Sequence, residues 1–222
     1  MIRALPLLLL ALPAPALAQE QYALPDGCEA FATVQTKACV VEHHFTCKGD
    51  PEGYRRRVSL DEDGMTFLGQ IDGEAQWIAS FHALAGVVET LAPDPADPAS
   101  MSELLDTGID TYDFRTTSEQ IGETRYVGQD RLTGRTVEID GVTLEETEYR
   151  ITAFDAEGTE VWRSSGNEYV NRDWRRFLSG SGVTVTSEGR IEHDDRPVEF
   201  IFPGEPGFLS PRPKHGCGVA IS

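Results

Sequence analysis

Recurring turn signals constrain the fold of this chain more than any other feature of its sequence. Asp-Gly pairs occur at 63–64, 72–73 and 140–141, each between segments rich in apolar or alternating residues. An Asp-Gly pair in that setting is a strong indication of a β-hairpin, because both residue types tolerate the positive φ angles of a tight hairpin turn. The chain is therefore predicted to run back and forth as an antiparallel meander.

The same turn signals predict about a dozen short strands and two short helices. One helix is expected near residue 30, because the apolar residues of GCEAFATVQTKA recur at the three- and four-residue spacing of a helix face. The other is expected after a proline-rich loop at 91–100. There Ser100 and Glu103 form a capping-box pattern, and Gly108 supplies a stop signal.

The absence of strand–helix–strand alternation predicts a mainly β fold. Several predicted strands are polar on both sides, such as LEETEYRIT at 144–152. A thin, partly polar inner face fits a curved sheet better than a tightly packed sandwich. The predicted architecture is a long antiparallel meander that forms a curved sheet or half-barrel, with a short N-terminal helix and one short inserted helix.

Residues 1–18 are predicted to be a cleaved secretory signal peptide. Arg3 precedes a leucine-rich stretch that ends in Ala16-Leu17-Ala18, a small-x-small cleavage motif. The apolar run is shorter than the roughly 20 residues of a membrane helix, and no second long run follows, so no membrane span is expected. Residues 19–222 are predicted to form a single exported β-rich domain, periplasmic or secreted.

The charge balance bears on the choice of partners. The chain has 19 Lys and Arg against 37 Asp and Glu, a formal net charge of −18. Such a field repels phosphate backbones and anionic membrane surfaces. Nucleic acid is therefore not an expected partner.

The four cysteines are predicted to form two disulfides, since all of them lie in the exported part. They are Cys28, Cys39, Cys47 and Cys217. If residues 39–47 form one strand, its end cysteines lie about 26 Å apart, far beyond the ~7 Å limit for a bridge. Two pairings stay open: 28–39 with 47–217, or 28–47 with 39–217.

The order of the predicted elements resembles that of a known family. A signal peptide, a short N-terminal helix and a long antiparallel meander with one helical interruption resemble the half-barrel of the periplasmic lipoprotein carriers, the LolA-like proteins. The resemblance covers most of the exported chain as an order of elements and includes no sequence motif. It implies a cup that holds acyl chains, and no functional residue is carried over.

The segment ACVVEHHFTC at 38–47 is the best candidate for a metal site. Side chains alternate along a strand, so His43 and His44 point to opposite faces. Glu42 and His44 are left as a candidate metal-binding pair on what is expected to be an exposed outer face, and they lack a third ligand. A second candidate, for calcium, is the acidic turn around His193, which does not have the alternating acids of a calcium loop.

Aromatic and cationic residues supply further candidates. Arginines at 55–57 and in NRDWRRF at 171–177 either engage a carboxylate or pair locally with the surplus acids. Large aromatic side chains are expected to line an apolar ligand cup or to form plain core. The candidates for ligand lining are Trp77, Trp162, Trp174, Phe200 and Phe202.

No complete catalytic or cofactor motif is present in the sequence. The closest approach to a nucleophile elbow, LSGSG at 178–182, departs from the Gly-x-Ser-x-Gly pattern. No catalytic residue and no cofactor is therefore predicted. The preferred hypothesis is an exported, soluble, non-catalytic binding or accessory protein of the cell envelope, whose partner is a small apolar ligand or an envelope protein. A metal-dependent protein or enzyme that uses Glu42 and His44, and a purely structural interaction module, stay open as alternatives.

Overall fold

The computed structural model describes residues 20–218 as one antiparallel sheet of 13 strands with a single short helix. The predicted signal peptide lies outside the described residues. The mainly β class and the long meander are confirmed. The strands are β1 (Cys28–Thr36), β2 (Val41–Cys47), β3 (Arg55–Leu60), β4 (Met65–Ile71), β5 (Trp77–His82), β6 (Val87–Leu91), β7 (Ile109–Ser118), β8 (Gly122–Ile139), β9 (Val142–Phe154), β10 (Glu160–Asn171), β11 (Arg176–Thr186), β12 (Gly189–Asp194) and β13 (Pro197–Ile201), and the helix is α1 (Met101–Thr107).

The topology is that of a meander with one added strand. Each strand from β1 to β12 pairs with the next along the chain, and β13 pairs with the free side of β1. The two edge strands, β12 and β13, follow one another in sequence but do not pair, so the sheet stays open. The Asp-Gly turns are confirmed: Asp140 and Gly141, at φ 48° and 78°, form the two-residue connection between β8 and β9.

The sheet curves so strongly that strands far apart in its order meet across the interior. Val34 of β1 packs with Tyr169 of β10 and Leu178 of β11. On the other side of the hairpin formed by β10 and β11, Val170 packs with Met101 and Leu104 of α1. The end of the β10–β11 hairpin is therefore enclosed on both faces.

The segments at the two ends of the described chain cover the outer side of the first strands. Tyr22, Leu24, Phe208 and Leu209 pack against a buried cluster on β1, β2 and β3. The amide of Leu209 donates to the Thr33 hydroxyl at 2.9 Å. As a consequence β2 is buried on both faces from Val41 to Phe45. The predicted exposed face with Glu42 and His44 is therefore wrong, because these residues are 5% and 0% exposed.

The predicted N-terminal helix is wrong, because residues 28–36 form strand β1. The pairing with β2 shifts register between Ala30 and Ala32, so Phe31 is an extra residue in a β-bulge. The bulge and the burial of both faces erase the period-two alternation of a strand. The apolar residues of this strand therefore recur at three- and four-residue spacing, as on a helix face.

The inserted helix α1 is confirmed together with its capping residues. The Ser100 side chain accepts a hydrogen bond from the Glu103 amide at 3.1 Å, which satisfies one of the free amides of the first turn. Gly108 ends the helix in the left-handed conformation, at φ 86°. An isolated β-bridge between Asp97 and Asp113 joins the proline-rich loop between β6 and α1 to strand β7.

The disulfides join Cys28 to Cys47 and Cys39 to Cys217. This confirms the second of the two predicted pairings and the exclusion of a 39–47 bridge. Two disulfides indicate an oxidising, exported location. Between residues 20 and 218 the structure contains no helix with the length and apolar character of a membrane span.

Candidate functional site

Five aromatic residues form a continuous patch, here called the aromatic patch, on the inward face of the sheet. Phe114 of β7 stacks on Tyr126 of β8 at a centroid distance of 5.3 Å, and Trp77 of β5 packs edge-on against both, at 5.4 and 5.1 Å. Tyr112 and Trp162 extend the patch at 5.9 and 6.0 Å. Trp77 is 43% exposed, so the patch reaches solvent at one end.

The position of Tyr112 depends on a glycine in the neighbouring strand. Tyr112 and Gly128 are directly paired between β7 and β8. A Cβ atom at residue 128 would lie 2.4 Å from the Tyr112 ring, so only glycine allows the ring to lie flat across β8.

A buried carboxylate fixes the other side of the aromatic patch. Glu89 of β6 accepts hydrogen bonds from the Tyr126 hydroxyl at 2.9 Å and from the Thr116 hydroxyl at 2.6 Å. Burial alone would raise the pKa of Glu89, but hydrogen bonds from His82, Thr116 and Tyr126 outweigh burial and lower it. The Tyr126 ring is therefore held in one orientation.

Three acidic residues, here called the carboxyl cluster, continue the inward face beyond Tyr112. Asp110 of β7 and Asp130 of β8 are directly opposite one another. Thr147 of β9 is opposite Glu168 of β10 and also opposite Leu132, two residues along β8 from Asp130. Directly paired residues, and residues two apart on one strand, share a face. The three acids and Thr147 therefore lie on the same side of the sheet.

The acids of the carboxyl cluster accept few hydrogen bonds from the protein. The Ser100 amide donates to Asp110 Oδ2 at 3.0 Å, but Asp110 Oδ1 and the Thr147 hydroxyl are buried without a hydrogen-bond partner among the described residues. Burial raises the pKa of Asp110 to about 6. Burial also raises the pKa values of Asp130 and Glu168; Glu168 and Asp110 add to the effect at Asp130, and Arg57 partly opposes it at Glu168.

A second group of polar residues, the arginine cluster, lies between β2, β3 and the β10–β11 hairpin. Arg57 Nη1 is 3.1 Å from Glu42 Oε1, and His44 Nε2 is 3.3 Å from Glu42 Oε2. Arg176 is 5% exposed. Its Nε and Nη1 atoms, His44 Nδ1 and Arg57 Nε have no hydrogen-bond partner within residues 20–218. The unpaired nitrogens are sealed from solvent, so this cluster offers no entry for a ligand in the observed conformation.

The protonation states in the arginine cluster follow from burial and neighbouring charge. Burial opposes ionisation of Glu42, but Arg57, followed by His44 and Arg176, lowers its pKa to about 2. Burial lowers the pKa of His44 to about 4. Burial followed by repulsion from Arg57 lowers the pKa of Arg176 to about 9. At neutral pH the cluster holds one carboxylate, a neutral imidazole and two guanidinium groups.

The metal candidates from the sequence have no complete ligand set in the described part of the chain. Glu42 and His44 do lie on one face in contact, but their other neighbours are the two guanidinium groups, which repel a metal cation. The predicted acidic turn around His193 is wrong, because these residues form the end of strand β12. Its Asp194 is used in ion pairs with Lys37 and Arg196 at 2.5 and 2.7 Å.

Three potential metal ligands lie close together at another position, but two of them cannot bind a metal. Across residues 20–218, the group of three potential ligand side chains close enough for one ion is Cys39, Glu62 and Cys217. Both sulfurs are joined in a disulfide, so neither is a thiolate that can bind a metal.

The aromatic residues singled out in the sequence fall into two separate groups. Trp77 and Trp162 belong to the aromatic patch. Trp174 packs with Phe200 and Phe202 at 5.9 and 6.3 Å, in the cluster at the hairpin end, where it also lies 6.2 Å from the His44 ring. The five candidates therefore do not line a single cup.

The arginines of the two cationic segments pair mostly with local acids. The pairs are Arg56 with Asp50 at 2.7 Å, Arg57 with Glu42 at 3.1 Å, Arg172 with Glu145 at 2.5 Å and Arg175 with Glu74 at 2.8 Å.

A shallow depression of about 400 Å³ lies over the opposite side of β7, β8 and β9. Its lining combines polar residues such as Asp113 and Arg150 with the apolar residues Val127 and Phe154, so it is a mixed surface.

Comparison of the sequence with models of protein families, with curated proteins and with solved structures finds no match. The resemblance to the LolA-like proteins therefore stays an expectation from the order of the elements, and the function is argued from the geometry of the site.

Proposed function

We propose that this chain is an exported, non-catalytic binding protein of the cell envelope that holds a small apolar ligand against the aromatic patch. The observation that carries the proposal is the exposure of Trp77, 43% of which reaches solvent although the ring packs against Phe114 and Tyr126. A large aromatic ring at the open end of a buried aromatic row offers apolar contact area to a ligand. A ligand that covers Trp77 extends the row without opening the core.

The proposed location follows from the cysteines and the N-terminal sequence. The two disulfides are compatible with folding outside the cytoplasm. We propose that the signal peptide is cut after Ala18 and that the mature protein is soluble in the periplasm or secreted. An aromatic surface that contains no nucleophile suits retention of a ligand better than its chemical conversion.

The expected affinity is modest, because the ligand lies at the open end of the patch and not in an enclosed cavity. Contact with one exposed indole and its neighbours buries a small area, and the loss of translational freedom on binding offsets much of the gain. A dissociation constant on the order of 10 μM is expected for a small apolar probe.

The test uses dansyl pentylamide, a neutral dye whose emission rises and shifts to the blue in apolar surroundings. The wild-type protein is expected to bind it. Trp77→Ala is expected to weaken binding about tenfold, because the ligand loses its aromatic contact. Leu84→Ala is the matched control: Leu84 is 86% exposed in the β5–β6 turn, and its removal should leave the affinity unchanged.

Two outcomes overturn the proposal. One is the absence of dye binding by the wild-type protein. The other is an equal affinity of the wild-type and Trp77→Ala proteins, after urea unfolding has shown that the variant is folded.

A further inference from the structure

The inward face changes from aromatic to acidic within one sheet, and Tyr112 lies at the boundary. Going along β7, Phe114 belongs to the aromatic patch, Tyr112 lies across Gly128, and Asp110 belongs to the carboxyl cluster. Going along β8, Tyr126 and Asp130 repeat the same order. A ligand on the aromatic patch therefore has the carboxyl cluster at one end.

The carboxyl cluster has no cation among the described residues, although Asp110 and Asp130 are buried and Glu168 is half-buried. Charged carboxylates rarely stay buried unless they are paired with a cation or coordinate a metal. Within residues 20–218, no Lys or Arg forms an ion pair with Asp110, Asp130 or Glu168. Arg57, whose charge partly opposes the raised pKa of Glu168, makes its ion pair with Glu42.

A hydroxyl group adds an independent indication of a missing partner. Thr147 is 0% exposed, and its hydroxyl has no hydrogen-bond partner in the described chain. Its side chain shares the face of the three acids and is directly opposite Glu168. A buried polar atom without a partner costs roughly 1–3 kcal/mol, so an acid cluster with such an atom in its midst differs from a solvated acidic surface.

The spacing of the acids favours an organic cation over a metal ion. Asp110, Asp130 and Glu168 do not bring one oxygen each within 4.8 Å of one another, as one bound metal ion requires. An ammonium group can be held by hydrogen bonds of about 2.8 Å to only two of the acids, whereas magnesium and calcium ions take about six to eight oxygen ligands. The apolar part attached to the ammonium group can lie along the aromatic patch. The Tyr112 ring adds a cation–π contact with the ammonium group.

We infer that the ligand of this protein is an amphipathic amine, with its apolar part on the aromatic patch and its ammonium group in the carboxyl cluster. The inference rests on the proposed function and adds the chemical class of the ligand. Asp130 and Glu168 accept hydrogen bonds from the ammonium group, and the Thr147 hydroxyl gains a charged neighbour. The apolar part covers the exposed ring of Trp77.

The experiment compares two dyes that differ in one group. Dansylcadaverine ends in an ammonium group, and dansyl pentylamide has a hydrogen atom in its place. The wild-type protein is expected to bind dansylcadaverine at least tenfold more tightly, because hydrogen bonds to charged groups are worth about 1.5–3 kcal/mol and tenfold corresponds to about 1.4 kcal/mol. Asp130→Asn is expected to remove most of this preference, measured as the ratio of the two affinities in the same variant.

A matched control separates the site from the overall acidity of the protein. Glu188→Gln changes the net charge by the same amount as Asp130→Asn, and Glu188 lies in the exposed β11–β12 turn. It should bind dansylcadaverine like the wild type. Glu168→Gln supplies a second variant of the cluster if Asp130→Asn does not fold.

The outcomes separate the inference from the proposed function. Equal wild-type affinities for the two dyes, with binding still dependent on Trp77, overturn the amine and leave the apolar ligand. An equal loss of dansylcadaverine binding in Glu188→Gln and Asp130→Asn assigns the preference to net charge and also overturns the amine. Absence of binding by either dye overturns both proposals.

Discussion

Asp130 is a carboxyl group that the fold buries without a cation. Its pKa is raised first by burial and then by the charges of Glu168 and Asp110. The titratable groups that face it are these two acids, the phenols of Tyr112 and Tyr149, and, beyond Glu168, Arg57. The proton on Asp130 therefore contributes to stability in a way that depends on pH.

The sign of that contribution follows from the raised pKa. The pKa of an aspartate in the unfolded chain is about 3.9. Above that pH the native protein therefore binds more protons than the unfolded chain. The stability associated with the Asp130 proton is fully present below about pH 3.9 and is lost as the pH rises through the native pKa. An asparagine at this position does not titrate.

Asp130→Asn is therefore expected to gain stability relative to the wild type as the pH rises. The difference in the free energy of unfolding should increase by at most about 1.4 kcal/mol per pH unit and level off above the native pKa. Urea unfolding of both proteins from pH 5.5 to 9 measures it. The Glu188→Gln variant should show no such trend, and a constant difference for Asp130→Asn would mean that Asp130 titrates normally.

In the β10–β11 hairpin, glycines allow two strands to approach closely. A Cβ atom on Gly166 would lie 2.2 Å from the Ser181 carbonyl oxygen and 2.6 Å from Gly182 Cα. Both of these atoms belong to the backbone, so they cannot rotate away from an added methyl group. The register also shifts between Gly166 and Glu168, and this irregularity precedes the hairpin end that is buried on both faces.

Gly166→Ala is expected to destabilise the protein by about 2–3 kcal/mol, because the added methyl group forces the two strands apart. Gly49 is the matched control, since a Cβ atom there meets nothing within 4 Å. Gly49→Ala should leave the free energy of unfolding within about 0.5 kcal/mol of the wild type. Equal values for the two variants in urea unfolding would show that the close approach at Gly166 is not constrained.

The elements that sequence predicts best are those whose signals are local. Helix α1 depends on Ser100, Glu103 and Gly108, which lie within nine residues, and the β8–β9 turn depends on Asp140-Gly141. The strand β1 and the exposed edge strand β12 were missed for a different reason. The first is buried on both faces, and the second has few apolar residues, so neither shows the alternation from which a strand is recognised.

The candidate site was only partly predictable for the same reason. Trp77 and Trp162 stand out in the sequence because their large apolar side chains suit a ligand cup. Asp110, Asp130 and Glu168 are three acids among the 37 Asp and Glu of the sequence, and no spacing marks them. They meet because of the register of four strands, which is set by side-chain packing along the whole sheet.

Two disulfides link the first two strands of the open sheet to each other and to the C-terminal segment. Cys28–Cys47 joins the ends of two paired strands, 19 residues apart in sequence. Cys39–Cys217 joins the β1–β2 turn to the C-terminal segment across 178 residues. That segment covers β1, where Lys214 donates its amide hydrogen to the Gln35 side chain at 2.9 Å.

Removal of the long-range disulfide is expected to cost more stability than removal of the short-range one. Loop-closure entropy amounts to about 5 kcal/mol for a loop of this length and to about 3 kcal/mol for the shorter loop. Urea unfolding of Cys39→Ser/Cys217→Ser and Cys28→Ser/Cys47→Ser, each without free thiols, compares them. Hydrogen exchange at the Lys214 amide should also accelerate in the first variant alone, because the C-terminal segment loses its anchor. A larger loss of stability in the second variant would show that the β1–β2 pair depends on its disulfide more than the curved sheet depends on its C-terminal cover.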